Sequence, residues 1–451
     1  MSPLSGGEIE GVGAAFYQDL AGNRLQALYE AEPGHPFAAP YQNGDFADGL
    51  KNRHIYYESS RGCPFACTYC LSAARPGVRR NGIDQVCGEL ETIIGHEPRV
   101  VRFVDRTFND RPDRALAIWR FLAGRGGKTL FHFEVAPDRF TDEMFDLLSR
   151  LAPGRFQFEI GIQSTNPETL AAIHRKMDLE AMKKNVVRLA ALDTIHIHAD
   201  LILGLPYDTR ETFAQSFRDV FSLAPHYIQM GLLKVLPDTP ISRSIADFNM
   251  VVCQEPPYEI LANSWLDRER LADLYWFGEC VEAFYNNRYF PSLWKYLRNR
   301  KEDVFAFFAS LLELCGTGDF FEQAATQELL SRMLLSLARQ RADGQLVSEL
   351  LVFDWLRTGH RFLPDHLQIF VDEQPREVKN RLWKSMPQHL EGVYDYKGRD
   401  EFFKRGVFMR FSKLCLTATG SGDGSMDGDV CFTGEREKTV VRLCRVVFLP
   451  G

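Results

Sequence analysis

The sequence has no long apolar run. No stretch approaches the ~18 residues that a membrane-crossing helix needs. The opening Met1-Ser-Pro-Leu-Ser-Gly-Gly-Glu8 has neither the basic end nor the apolar core of a secretory signal. Positive charge is not in excess either: the net charge of -7 weighs against a general nucleic-acid surface. The local basic trio Arg75, Arg79 and Arg80 reads as a solvated edge. No internal repeat is visible, and no low-complexity tract apart from the glycine-rich 420–428. Cysteines are mostly scattered, and in a long chain with no export signal such thiols read as reduced and the protein as cytoplasmic. What the composition does allow is a large core. Of 451 residues, 45% are hydrophobic, and there are 34 Phe. That length fits about three domains of roughly 150 residues.

The exception to the scatter is Cys63-Pro-Phe-Ala-Cys67-Thr-Tyr-Cys70, spaced C-x3-C-x2-C. Packing alone would not gather three thiols there. Close thiolates bind a soft metal or an iron–sulfur cluster, or pair as disulfides. Three ligands leave a four-coordinate centre one position short, which marks a reactive site rather than a closed structural one. A zinc knob whose fourth ligand lies elsewhere is the bland alternative. Cys253, Cys280, Cys315, Cys415, Cys431 and Cys444 form no close pair and read as buried free thiols, as does Cys87 in a helical pattern.

From residue 54 to about 235 apolar strand-like runs alternate with helix-like runs, the pattern of βα units on a parallel sheet. Strands are expected at His54–Ser59, Val100–Asp105, Leu130–Ala136, Phe156–Ile162, Ile195–Gly204 and Tyr227–Val235. Helices are expected near 83–95, 111–124, 141–151, 167–191 and 209–223, the third capped by Thr141. Three of these strands carry one apolar and one polar face, since side chains alternate with period two. His132 and Glu134 share a face; so do Gln157, Glu159 and Gln163; so do His196, His198 and Asp200. Such faces suggest a polar interior that holds a polar ligand, with a fully satisfied hydrogen-bond network as the alternative.

Before this region, Phe16–Tyr29 reads as one amphipathic helix within a connector of residues 1–50. After it, Ser264–Tyr285, Val304–Leu314 and Phe320–Arg341 read as helices, and Leu274, Phe277, Val281 and Phe284 form an apolar stripe. The loop 420–428 separates strand-like Phe408–Thr417 from Lys438–Phe448. The expected architecture is α/β: a partial (βα)6 barrel at 51–245, then a mostly helical α+β region at 246–451 that closes it.

With those residues in view, the chain resembles the radical S-adenosylmethionine (SAM) enzymes. The cysteine spacing, Tyr69 before the last cysteine, and the position after the first of six βα strands carry the resemblance. It covers about 50–240. It implies that Cys63, Cys67 and Cys70 hold a 4Fe–4S cluster whose open iron is chelated by SAM. One electron from a flavodoxin- or ferredoxin-like donor then cleaves SAM to methionine and a 5′-deoxyadenosyl radical, which abstracts hydrogen from a substrate. Asp105 takes by position the place of a glycine-rich acidic motif, although the glycines are missing. Tyr69, Glu159, Gln163 and Ser164 are further cofactor-binding candidates by resemblance, with Asp200, Gly204 and Lys234, and Glu134 joins them as a carboxylate on a polar strand face that needs a partner. Segments such as Ser59-Ser-Arg-Gly-Cys-Pro-Phe65 and Gly161-Ile-Gln-Ser-Thr-Asn166 resemble one subgroup, whose longer members carry a cobalamin domain and a C-terminal domain of unknown function. Here residues 1–50 leave no room for a cobalamin domain, and no Asp-x-His-x-x-Gly loop is present, which weighs against cobalamin. Methyl or methylthio transfer and a non-catalytic metal-binding scaffold stand as alternatives. No residue is singled out as catalytic, and neither the substrate nor any nucleic-acid partner is indicated.

Overall fold

The computed structural model describes residues 4–6, 9–30, 37–48, 50, 53–74, 77–316, 320–368, 373–394, 398–422 and 425–449. Arg75 lies outside them. Six parallel strands form the sheet: β1 (His54–Tyr57), β2 (Val100–Phe103), β3 (Leu130–Glu134), β4 (Phe156–Gln163), β5 (His196–Leu203) and β6 (Tyr227–Leu232). They lie in the order β6-β5-β4-β3-β2-β1, so each strand neighbours the next in sequence. The expected α/β fold with six parallel strands and a helical C-terminal region is what is observed.

The chain divides into two compact units, residues 1–64 with 77–134, and residues 65–76 with 135–451. In the first, β1, β2 and β3 pair with Ile55 opposite Val101 and Val101 opposite Phe131. Their alternate residues Ile55, Tyr57, Val101, Phe103, Phe131 and Phe133 are at most 1% exposed. Helix Ile83–Gly95 buries Val86, Leu90 and Ile93, and helix Pro112–Ala123 buries Ala115, Trp119 and Leu122, each at helical spacing. Phe103, Phe108, Phe133 and Trp119 make one aromatic cluster. Each such ring contributes about 2 kcal/mol by burial. The expected helix Phe16–Tyr29 is instead helix Ile9–Ala21 and a short strand Leu28–Glu30. Gly22 and Asn23, the latter at φ 53°, end the helix.

In the second unit, β4, β5 and β6 pair in parallel, with Glu159 opposite His198 and Gln229 opposite Asp200. Thr141 caps helix Asp142–Leu148 as expected, its hydroxyl accepting from Met144 N at 3.4 Å. The helix expected over 167–191 is two, Pro167–Ala172 and Leu179–Leu192. His174 at φ 53° ends the first, and Asp178 caps the second by accepting from Glu180 N and Ala181 N at 3.0 Å.

The apolar stripe is core: Leu274, Phe277, Val281 and Phe284 are at most 2% exposed. Phe277 stacks on Phe305 at 4.4 Å and meets Phe217 edge-on at 4.9 Å. Phe217 belongs to helix Arg210–Ser222, whose Arg218 also grips Asp303 through two bonds of 2.7 and 2.8 Å. The C-terminal helices therefore share a core with the last crossover helix. Helix Phe320–Arg341 begins later than expected, at Gln327, where Thr326 caps it. Three antiparallel strands, β7 (Val407–Phe411), β8 (Gly428–Arg436) and β9 (Cys444–Leu449), complete this region. Strand-like Phe408–Thr417 is thus strand only to Phe411, and Lys413–Thr419 is a helix capped by Ser412.

Asp354, fully buried, accepts from Ser292 N and Leu293 N at 3.0–3.2 Å and caps helix Pro291–Asn299. Burial pushes its carboxyl up to about 7. Asp354→Ala should lower the unfolding free energy by about 2 kcal/mol. The check is the urea midpoint at pH 8, with an unchanged m-value.

Candidate functional site

Strand β1 runs into an antiparallel hairpin, Ser60–Cys63 with Gly77–Arg80, in which Cys63 faces Gly77. The cysteine loop hangs from that hairpin. Gly62 sits at φ 101°, and a Cβ there would collide with the Gly77 carbonyl, so only glycine fits beside Cys63. Asp105, just past β2, holds the start of the hairpin. Its carboxylate accepts from Ser59 N at 2.9 Å and from the Ser59 and Ser60 hydroxyls at 2.6 Å each. Arg114 adds bonds to the Ser59 carbonyl at 3.1 Å and the Asn81 carbonyl at 2.7 Å. Burial pushes the Asp105 carboxyl up, against the Ser59 and Ser60 bonds and Arg114 that pull it down. The Cys63 sulfur lies 3.5 Å from the Thr107 hydroxyl. Of the basic trio, Arg79 lies over the Phe37 ring and Arg80 pairs with Asp110.

Cys67 and Cys70 belong to the second unit. Thr68 between them is fixed on both sides: its N–H donates to the Ile173 carbonyl at 3.0 Å, and its carbonyl accepts from Ile241 N at 2.9 Å. Cys67 is buried, and Cys70 and Tyr69 are half-buried. Burial pushes the Tyr69 phenol up, and nearby Cys67 and Cys70 add to this while Arg175 opposes it. Arg175, from the break between the two helices, donates to the Cys67 sulfur at 3.8 Å and to the Gly161 carbonyl.

Along β4 the faces divide as expected. Phe156, Phe158, Ile160 and Ile162 are wholly buried, while Gln157, Glu159, Gly161 and Gln163 stay half-buried. A bulge between Gly161 and Gln163 turns Gln163 to φ 72°. Its amide then lies against Gly161, where a Cβ would clash with Nε2. The buried Gln163 Oε1 has no protein hydrogen-bond donor. On β5, Asp200 is half-buried beside Gly161 in register, and Gly204 follows at φ 83° with its carbonyl accepting from Asn263 at 3.0 Å. Glu134 is half-buried at the end of β3, and Lys234 is exposed and bridges in backbone to Glu259.

Ser164 is enclosed in a network unseen in the sequence. Its hydroxyl meets Ser216 at 3.3 Å and Asp208 at 3.4 Å, and accepts from Asn166 N at 3.1 Å. Asp208 also accepts from Thr212 at 2.9 Å. Burial pushes Asp208 up to about 6 from 3.8, against those hydroxyl bonds. Between those two values the folded chain binds more protons than the unfolded one, so this group's contribution to stability falls as pH rises from about 4 to 6. Asp208→Asn should remove that fall, worth at most about 3 kcal/mol. Urea midpoints of the two proteins across pH 4–7 check it: the variant gains on the wild type as pH rises.

Among the described residues no disulfide joins any of the ten cysteines. Burial pushes the thiols of Cys280, Cys415 and Cys431 far up, which keeps them protonated. Among the described residues no three His, Cys, Asp or Glu converge on one point, as a single ion would need. A 4Fe–4S cluster makes no such demand, because each thiolate binds its own iron. The donor set therefore fits such a cluster, and the donor-less Gln163 Oε1 fits a polar ligand beside β4.

A parallel α/β fold whose first strand leads into a three-thiol loop accords with a radical SAM domain. Residues 57–220 match the radical SAM superfamily, and residues 246–414 match a protein family of unknown function, DUF4080. The chain carries a radical SAM domain followed by a DUF4080 domain, and the radical SAM family uses a 4Fe–4S cluster and SAM. The chain is 26% identical over 287 residues to 2-(S-pantetheinyl)-carbapenam-3-carboxylate methyltransferase of Streptantibioticus cattleyicolor, covering 58% of this chain and 42% of that one. It is 28% identical over 198 residues to cobalamin-dependent radical SAM methyltransferase TokK of Streptomyces tokunonensis, covering 42% and 29%. It is 26% identical over 196 residues to tRNA-2-methylthio-N(6)-dimethylallyladenosine synthase of Dehalococcoides mccartyi, covering 42% and 47%. The chain spans less than half the length of each of these relatives. Among the described residues, no helix is long and apolar enough to cross a membrane.

Proposed function

We propose that this chain is a radical SAM enzyme, acting on a substrate that the sequence does not name. The observation that carries this is the C-x3-C-x2-C loop, hung from a glycine-locked hairpin inside a radical SAM domain. Cys63, Cys67 and Cys70 hold the cluster, which with SAM supplies one-electron cleavage of SAM to methionine and a hydrogen-abstracting 5′-deoxyadenosyl group. Asp105 and Arg114 hold the strand exit that presents Cys63. Gln163 offers its Oε1 to a hydrogen-bond donor of the bound SAM. Glu159, Asp200 and Tyr69 are further candidates to meet polar groups of the cofactor, as is Glu134, and Ser164 acts by fixing the turn after Gln163. The electron donor is of flavodoxin or ferredoxin type. A cytoplasmic setting suits a chain whose cysteines are mostly scattered along the sequence.

The test is anaerobic reconstitution with iron and sulfide, then reduction with SAM present. Cluster absorbance with methionine and 5′-deoxyadenosine as products is expected. One equivalent of zinc and no iron after anaerobic preparation would favour the metal-binding scaffold instead. The names of the relatives favour one second reading, methyl or methylthio transfer with SAM as donor. It predicts S-adenosylhomocysteine among the products, and assays with and without added cobalamin decide whether that cofactor takes part.

A further inference from the structure

We propose that Arg175 tunes the reduction potential of the thiol site from behind Cys67. This rests on the reading of Cys63, Cys67 and Cys70 as cluster ligands. Arg175 lies in the break between helices Pro167–Ala172 and Leu179–Leu192, one residue beyond His174 with its left-handed backbone. Its guanidinium is used as a fork. Nη1 donates to the Cys67 sulfur at 3.8 Å, and Nη2 donates to the Gly161 carbonyl. The second bond fixes the plane of the fork, so the first donor stays aimed at sulfur. Backbone bonding holds the partner still as well, because Thr68 next to Cys67 is pinned to the Ile173 carbonyl, two residues before Arg175. The charge reaches further, since Tyr69 feels both Arg175 and the Cys67 and Cys70 sulfurs.

Arginine stays protonated at any working pH. A hydrogen bond to a ligating sulfur is among the factors that set a cluster's potential. Reduction places one more electron on the iron–sulfur unit, and its thiolates then carry more negative charge. A fixed cation and N–H donor at Cys67 therefore favour the reduced form. The electron comes from an external donor, dithionite in the test, and no proton is transferred. A charge-assisted hydrogen bond is worth about a factor of ten in an equilibrium. At fixed potential, Arg175→Ala should thus lower the ratio of reduced to oxidised cluster about tenfold, which for a one-electron couple is a midpoint 59 mV more negative.

The experiment is a potentiometric titration of the reconstituted full chain without SAM, read by the electron paramagnetic resonance of the reduced form. Wild type, Arg175→Ala, Arg175→Lys and Lys176→Ala are compared. Arg175→Lys keeps a point charge without the fork, so its midpoint should fall between wild type and Arg175→Ala. Lys176 is the exposed cation next in sequence, and its removal should leave the midpoint in place. An unshifted midpoint in the Arg175 variants, with the cluster intact, overturns the proposal. An equal shift in Lys176→Ala also overturns it, because distance-independent charge would then be the cause. Should Arg175→Ala not retain the cluster, the Arg175→Lys shift decides. A wild-type chain that takes up no cluster overturns the cysteine reading, and this inference with it.

Discussion

Cys67→Ala should abolish the cluster absorbance and the formation of 5′-deoxyadenosine, while the chain stays folded. Cys67 is 5% exposed, and both backbone groups of the next residue are bonded to distant segments. The loop therefore cannot slide to bring another donor into the gap. Arg175 lies against this sulfur, and a guanidinium has no lone pair to offer iron. Losing a supporting group around a metal typically costs 10–100-fold in affinity, so loss of a ligand should exceed about 100-fold. Iron content, cluster absorbance and product yield check the result, with circular dichroism to confirm the fold. Full iron and full product in the variant would sink the assignment of Cys67.

Asp105→Ala should destabilise the first unit strongly, costing about 3 kcal/mol or more. The carboxylate is 1% exposed, and three donors from Ser59 and Ser60 converge on it. Its removal strands those donors and leaves the buried Arg114 charge with less to offset its burial. Asp105→Asn keeps one acceptor oxygen and should cost less. The shift of the urea midpoint measures both. The same variants should take up less iron than wild type at limiting iron, because the hairpin leading to Cys63 loses its anchor. A wild-type midpoint for Asp105→Ala would show that the anchor is unimportant.

Much of the fold is legible in the sequence because the strands carry a period of two. In Phe156-Gln-Phe-Glu-Ile-Gly-Ile-Gln163 the alternation shows both the strand and its polar face, and the structure buries every second residue of it. The cysteine loop is legible for a similar reason, since packing has no use for three thiols there. Features set by backbone conformation are harder to see. His174 is not glycine, yet it adopts a left-handed backbone, so an apolar period running through 167–191 conceals two helices. That concealed break is what frees Arg175 from a helical surface. Strand β8 is hidden because it starts at Gly428, the end of a glycine-rich stretch that reads as loop throughout. The sequence places Asp105 at the end of a strand, but its donors lie some 45 residues away along the chain. Only the fold brings them together. The Ser164–Asp208–Ser216 network is invisible for the same reason.

The pinning of Thr68 has a consequence for how the molecule is made. Its two backbone partners are Ile173 and Ile241, far downstream. A ribosome delivers them long after the three thiols have emerged, and such long loops must close before their contacts repay the entropy. The cysteine segment is therefore translated early and ordered late. Until residue 241 is in place, Cys67 and Cys70 lack one of the two backbone bonds that pin the residue between them.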